Sequence, residues 1–258
     1  MLYPNRKELG NFLRSRREKL SPESVGLSGG RRRRTPGLRR EEVAELANIG
    51  VDWYIRLEQG REVNPSSATV EALALALRLD KVERAHLRAL AQNSNDRVFS
   101  REIVPEAIRR LVENLDLPAY VTGRRWDILA WNSATADLFK DFSDVEEEDR
   151  NVLVYLLLDP GARRLFGVAW KDEAQRVVAQ FRTEHDLWSK DPAFVGLLER
   201  LRRGCPEFET WWEAHDIRNG LAGQKLLRHP KKGLFRFEYV SFQSNDDPAL
   251  KLVIYTRV

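Results

Sequence analysis

Residues 41–60 read EEVAELANIGVDWYIRLEQG. Apolar residues recur at helical spacing on both sides of Asn48-Ile49-Gly50: Val43, Leu46 and Ala47 before it, Tyr54 and Leu57 after it. Asn tolerates the left-handed backbone and Gly adopts it freely, so the tripeptide is expected to make a tight turn. Glu41 and Glu42 suit the positive end of the first helix. The second helix is expected over Val51 to about Gln59, with Gly60 stopping it.

Outward from this pair the pattern stays helical. Leu9, Phe12 and Leu13 mark one face of an earlier helix ending near Leu20. Ser21 to Leu38, with Pro22, Pro36 and four glycines, reads as loop. Ser66 or Ser67 can cap a helix over Thr69–Leu79, and Asp80 another to about Ala91. Two short helices joined by a three-residue turn inside a five-helix all-α unit have the geometry of a helix-turn-helix DNA reader.

The spacing resembles the phage-repressor-like, Xre-type pattern over about the first 90 residues, with Ala44 at the small position where the helices cross. In that arrangement Val51, Asp52, Trp53 and Arg56 face base edges in the major groove. Arg56 suits guanine or phosphate, Asp52 a cytosine amine, and Trp53 a thymine methyl; the competing reading is that one or two of them only cover the helix. Arg40 stands where the pattern usually has Gln, close to a phosphate. Arg39 replaces the usual Ser or Thr cap, so that helix start lacks a side-chain acceptor, and its positive group is expected, like that of Arg40, to meet phosphate. The same resemblance implies a structural ion pair between Glu58 and Arg17. Arg31, Arg32, Arg33 and Arg34 fall in a loop longer than the pattern has, either as a basic arm along phosphates or a minor groove, or as a solvated loop.

Charge points the same way. Residues 1–40 carry a net +9 and residues 1–95 a net +6, whereas residues 96–258 carry −2. A basic front half suggests an anionic partner, double-stranded DNA, for that half only. The longest apolar run, Val152–Leu158, is too short to span a bilayer. MLYPNRKELG has no apolar signal region, and a lone Cys205 fits a reducing compartment, so a cytoplasmic protein is expected.

The domain expectation is a helix-turn-helix domain over 1–93, a linker over 94–104 and a second domain over 105–258. QNSNDRVFSREIVP, Gln92 to Pro105, is polar and aperiodic. Of the 24 aromatic residues, 19 lie beyond residue 105. There an amphipathic helix with Ile108, Leu111, Val112 and Leu115 precedes a strand pair, AYVT and DILAW, turning at Gly123-Arg124-Arg125. Helices are expected over Ser133–Phe139, Val152–Leu158, Glu173–Glu184, Ala193–Arg203 and Glu207–His215. Strand alternation returns at Phe235, Phe237 and Tyr239 and at Leu250, Leu252 and Ile254. The expected architecture is α+β, its antiparallel sheet drawing strands from both ends.

No active site is legible. His86, His185, His215 and His229 lack metal-ligand spacing, so neither metal nor cofactor is expected. Cys205, His215 and Asp216 would have to form a nucleophile set without a glycine elbow.

GRRWDILAWNSATADLF, LDPGARRLF, CPEFETWWEAHDI and RHPKKGLFRFEYVSF follow TPGLRREEVAELA and VDWYIRLEQG in an order that resembles the MmyB-like family of bacterial regulators. That resemblance implies a helix-turn-helix followed by a PAS-like domain accommodating a fatty-acid-like molecule. An acyl pocket must be concave and mostly apolar. Candidate lining residues are Trp131, Phe139, Phe166, Trp170, Phe208, Trp211, Phe235 and Tyr239; Asn132, Arg218, Arg228 or His229 are candidates to hold a carboxylate. The plainer reading is that any one of these rings fills the core. The expected function is a homodimeric, ligand-sensing transcription regulator. The rivals are a DNA-recruited enzyme and a partner-binding regulator without a small ligand.

Overall fold

The computed structural model describes residues 6–27, 37–92, 98–218, 222–229 and 233–258. The chain forms two compact units. One is drawn from Met1–Val98, His185–Asp191 and Glu213–Ile217; the other from Phe99–Glu184, Pro192–Trp212 and Arg218–Val258.

The described residues of the first unit hold helices α1 (Arg6–Lys19), α2 (Arg40–Leu46), α3 (Val51–Glu58), α4 (Ser67–Ala76) and α5 (Lys81–Ala91). Their starts follow local chemistry. Ser66 Oγ accepts the Thr69 N–H at 3.1 Å, and Asp80 Oδ1 accepts those of Val82 and Glu83 at 2.8 Å. Arg39 offers α2 no acceptor, a guanidinium having only donors; instead Glu42 Oε2 accepts the Arg39 N–H at 2.7 Å. In the turn, Asn48 takes the left-handed conformation (φ 51°). Gly50 does not: its φ is −67°, ordinary for any residue, which corrects the role expected of it. Gly60 is left-handed (φ 68°) and ends α3 as expected. Gly10 answers a different need, because a Cβ there would be driven into the Glu58 carbonyl oxygen where α1 meets the end of α3.

Leu9, Phe12, Leu13, Leu38, Val43, Ala44, Tyr54, Leu57, Leu73 and Leu87 are buried in one core. Leu46, expected inside, is 39% exposed. Two core contributors come from far along the chain: Ile217 is buried in this core and Leu187 packs against it. The expected cut at residue 93 contains neither.

The second unit contains α6 (Glu106–Glu113), β1 (Ala119–Thr122), β2 (Ile128–Trp131), α7 (Ser133–Leu138), α8 (Val152–Leu158), α9 (Pro160–Phe166), α10 (Trp170–His185, whose last residue belongs to the first unit), α11 (Pro192–Gly204), α12 (Phe208–Glu213), β3 (Ala222–His229), β4 (Gly233–Gln243) and β5 (Lys251–Arg257). The sheet order is β2-β1-β5-β4-β3, with every neighbouring pair antiparallel. β1 pairs with β5, Tyr120 opposite Val253, so the sheet does join both ends of the domain. α9 is not in the expected set, yet Asp159 and Pro160 supply a cap and first-turn proline for it.

Strand alternation gives the sheet two faces. Ala119, Val121, Leu252 and Ile254 pack with Val112, Ile108 and Leu115 of the α6 region. Tyr120, Thr122, Val253 and Tyr255 point the opposite way and line the cavities described below.

Candidate functional site

In the helix-turn-helix, Val51, Asp52 and Arg56 are exposed on α3, and Arg56 has no side-chain partner among the described residues. Trp53 is half-buried against the helical core, so only part of its indole can face outward. Arg39 is exposed. Arg31 to Arg34 lie outside the described residues.

The expected Glu58–Arg17 pair forms. Arg17 Nε donates to Glu58 Oε2 at 2.7 Å and Arg17 Nη2 to Oε1 at 3.0 Å, while Nη1 donates to the Leu38 carbonyl at 2.8 Å. Arg40, the residue assigned to phosphate, also lies on Glu58, with Nε 2.9 Å and Nη2 2.8 Å from Oε1. Three elements therefore meet at one carboxylate: α1, the start of α2 and the end of α3. Burial works against charge on Glu58, but Arg17 and Arg40 outweigh it and hold its carboxyl below the usual range.

Much of the basic charge of α1 is likewise spent inside the unit. Arg6 pairs with Glu62 at 3.1 Å, Arg16 bonds Glu83 and the His215 carbonyl, and Lys19 bonds Asp216 at 2.6 Å. His86 Nε2 stands 3.2 Å from Asp186 Oδ2 in the same unit. The net charge of residues 1–40 thus overstates what α1 offers to DNA.

In the second unit two adjoining cavities lie between the sheet and its helices. The larger, about 160 Å³, is lined by Thr122, Trp126, Arg176, Gln180, Thr183, Glu184, Arg218, Tyr239, Ser241, Lys251 and Val253. The smaller, about 40 Å³, is walled by Ile128, Thr135, Phe139, Phe142, Tyr155, Leu156, Phe166 and Glu173. Tyr120, Val152, Val177, Lys225 and Tyr255 border both.

At this junction sits a partly buried ionic cluster around the buried Glu173. Lys225 Nζ is 3.0 Å from Glu173 Oε1 and donates to Tyr255 Oη at 2.8 Å. Arg176 donates through Nε and Nη2 to Glu173 at 3.0 and 2.6 Å, and through Nη1 to Tyr239 Oη at 2.7 Å. Desolvation opposes charge on Glu173, yet the two cations keep its carboxyl below the ordinary range. Burial pushes the Tyr120 and Tyr255 hydroxyls well up, so both remain neutral. Among the described residues, the larger cavity is lined by the cations Arg176, Lys225, Lys251 and Arg218 and by the carboxylate of Glu184, 3.0 Å from Lys251 Nζ, while Glu173 lines the smaller.

Of the sequence-derived candidates, Phe139 and Phe166 line the smaller cavity, and Tyr239 and Arg218 the larger. The others stand outside both linings. Asn132 is the clearest correction to the head-group set: its Oδ1 accepts the N–H groups of Ala119 and Thr135, and its Nδ2 donates to the Leu115 and Leu117 carbonyls. Its whole bonding capacity is taken by backbone. His229 Nε2 lies 3.0 Å from the Asp137 carbonyl, and Arg228 is exposed on β3. Trp131 is packed on Phe142 under Arg150. Trp170 donates to the Leu156 carbonyl at 2.8 Å and packs on Trp211, while Phe208 stacks on Trp212. Phe235 is covered by Arg257. These rings fill core or surface packing, the plainer reading given above.

Lys225, Arg176 and Glu173 were not among the candidates. A strand reading of AGQKLLRH would have put Gly223, Lys225 and Leu227 on one face. Helical spacing likewise groups Glu173, Arg176, Val177 and Gln180. Cys205 is buried, its Sγ 3.4 Å from Glu207, and burial together with that carboxylate pushes the thiol up. This is the opposite of the activation a nucleophilic cysteine needs.

Residues 8–87 match a family model for a helix-turn-helix domain, and residues 104–257 match the MmyB-like transcription regulator ligand binding domain. A comparison with curated proteins found no match. Among the described residues no helix is long and apolar enough to cross a membrane. The cavity pair lies within the ligand-binding match and Arg56 within the helix-turn-helix match, the arrangement of a ligand-regulated transcription regulator. With the second match alone covering more than half of its length, the chain belongs to the MmyB-like family of helix-turn-helix transcription regulators.

Proposed function

We propose that this protein is a sequence-specific DNA-binding regulator, acting as a homodimer, whose DNA affinity is set by an acyl-type anion held between α10 and the sheet. The observation that carries the reading is Lys225, whose side chain is only 10% exposed and borders both an apolar and a cation-rich cavity. Such a site suits a molecule with one charged end and one apolar end. DNA is read by α3, with Arg56 free to bond guanine or phosphate, Val51, Asp52 and part of Trp53 beside it, and Arg39 near the backbone. Two copies related by a two-fold axis would set their recognition helices about 34 Å apart on a near-palindromic site.

The ligand shifts the balance between DNA-competent and incompetent states only by binding one of them better. Thermal unfolding of the full chain with a mixture of straight-chain carboxylates tests the ligand assignment, since a molecule that binds only the folded state raises the melting temperature. A rise is expected. An unchanged melting temperature at millimolar concentrations of every member contradicts the assignment.

A further inference from the structure

After passing into the second unit at Phe99, the chain returns twice to the helical unit, at His185–Asp191 and at Glu213–Ile217. Both returns are anchored on α10. This helix is unbroken over Trp170–His185, and Gln180, Thr183 and Glu184 in its last turns line the larger cavity. Two residues beyond Glu184, Asp186 is buried 3.2 Å from His86 of α5, and Leu187 packs on the helical core. The second return is pinned to α10 on either side. Before it, the buried Arg182 donates to the Trp212 carbonyl and lies 3.8 Å from the centre of that indole ring. After it, the Ala179 carbonyl accepts the Arg218 N–H at 3.3 Å. Between these pins, Arg16 of α1 donates to the His215 carbonyl and Lys19 to Asp216 at 2.6 Å. Ile217 is buried in the helical core, while Arg218, the next residue, lines the larger cavity.

In both places only one or two residues of chain separate the cavity wall from the core that carries the DNA reader. An α-helix is stiff along its axis because each turn is hydrogen-bonded to the next, so a displacement at residues 180–184 is delivered to Asp186. There α5 receives it through His86, and α1 receives the other branch through Arg16 and Lys19. α1 also carries Arg17, whose partner Glu58 is the last residue of α3. We infer that α10 is the transmission element of this regulator: its shift reaches the recognition helix through Asp186 and the Glu213–Ile217 segment, not through the chain joining Val98 to Phe99. This rests on the ligand-binding reading only for what moves α10.

The octanoate response, the ratio of operator dissociation constants without and with octanoate, tests the route. Wild type should respond by about fivefold or more. Inserting Gly-Ser-Gly-Ser between Val98 and Phe99 leaves α10 and both returns intact and should preserve the response; its loss overturns the inference. Asp186→Ala should cut the response to about twofold or less while octanoate still binds, and an unchanged response overturns it. Hydrogen exchange of the full chain gives a readout without ligand. Arg182→Met, which removes one pin, should speed exchange of the α1 and α5 amides about tenfold. Val112→Ala, a truncation in the core on the other face of the sheet, should leave those amides at wild-type rates. No acceleration in Arg182→Met, or equal acceleration in both variants, overturns the inference. Failure of octanoate to bind wild type counts against the ligand reading alone, and the exchange comparison then decides the route.

Discussion

Arg40, the first residue of α2, and Glu58, the last residue of α3, are joined by an ion pair of 2.8 Å across the helix-turn-helix. Arg17 of α1 binds the same carboxylate, so the relative placement of the three helices that would position α3 on DNA depends on one buried acid.

Removing that acid should be costly. Glu58→Gln leaves Arg17 buried without its counter-charge, a change worth about 3–5 kcal/mol; Arg40→Gln, at a half-exposed group, should cost roughly 0–1 kcal/mol. Urea midpoints of the two variants against wild type check the ordering.

The Glu58 contribution has a defined pH dependence. Its folded-state pKa lies below its unfolded value, so the stabilisation is fully present above the ordinary carboxylate range and is lost as pH falls through the folded pKa. The stability gap between wild type and Glu58→Gln should be constant near neutrality and close on acidification below about pH 4. A gap that widens with acid would mean that the sign is wrong.

Arg56→Ala should leave folding unaltered, because the side chain is exposed and makes no hydrogen bond or ion pair among the described residues. It should reduce affinity for a selected operator by about 1–3 kcal/mol if Arg56 reads a guanine, and the loss should then concentrate at one base position. Binding to a panel of single-base operator variants distinguishes this from a phosphate contact.

Ile217→Ala should destabilise the helical unit although it lies 119 residues beyond Val98, the end of that unit's first segment. The side chain is 8% exposed in a core of α1–α5 residues, and truncating a buried Ile costs about 2–5 kcal/mol. Hydrogen exchange at the α1 and α5 amides should speed up accordingly, and a chain cut after Val98 should show at least as large a loss.

The helices were legible where their determinants are local. The Asn48 turn, the Gly60 stop and the Ser66 and Asp80 caps depend on residues within a few positions of one another. Gly50 shows the limit of such reading, since glycine permits a left-handed backbone without requiring it. Leu187 and Ile217 were not legible in the helical core because no periodicity joins them to residues 6–91. In the second unit, Trp170 and Phe208 look in the sequence like any pocket aromatic, and only their neighbours show that they stand outside the linings of the two cavities. Lys225 was under-read, because a lysine ordinarily signals surface, and only the pairing of β3 with β4 and the approach of Glu173 place it inside.

Operator affinity measured by fluorescence anisotropy, with and without octanoate, tests most directly the claim that the Lys225 site governs DNA binding. In wild type, octanoate should change the dissociation constant by about fivefold or more, in either direction. In Lys225→Met the same concentration should leave it unchanged. An equal response in both proteins, or none in wild type with octanoate shown to be bound, would contradict the account.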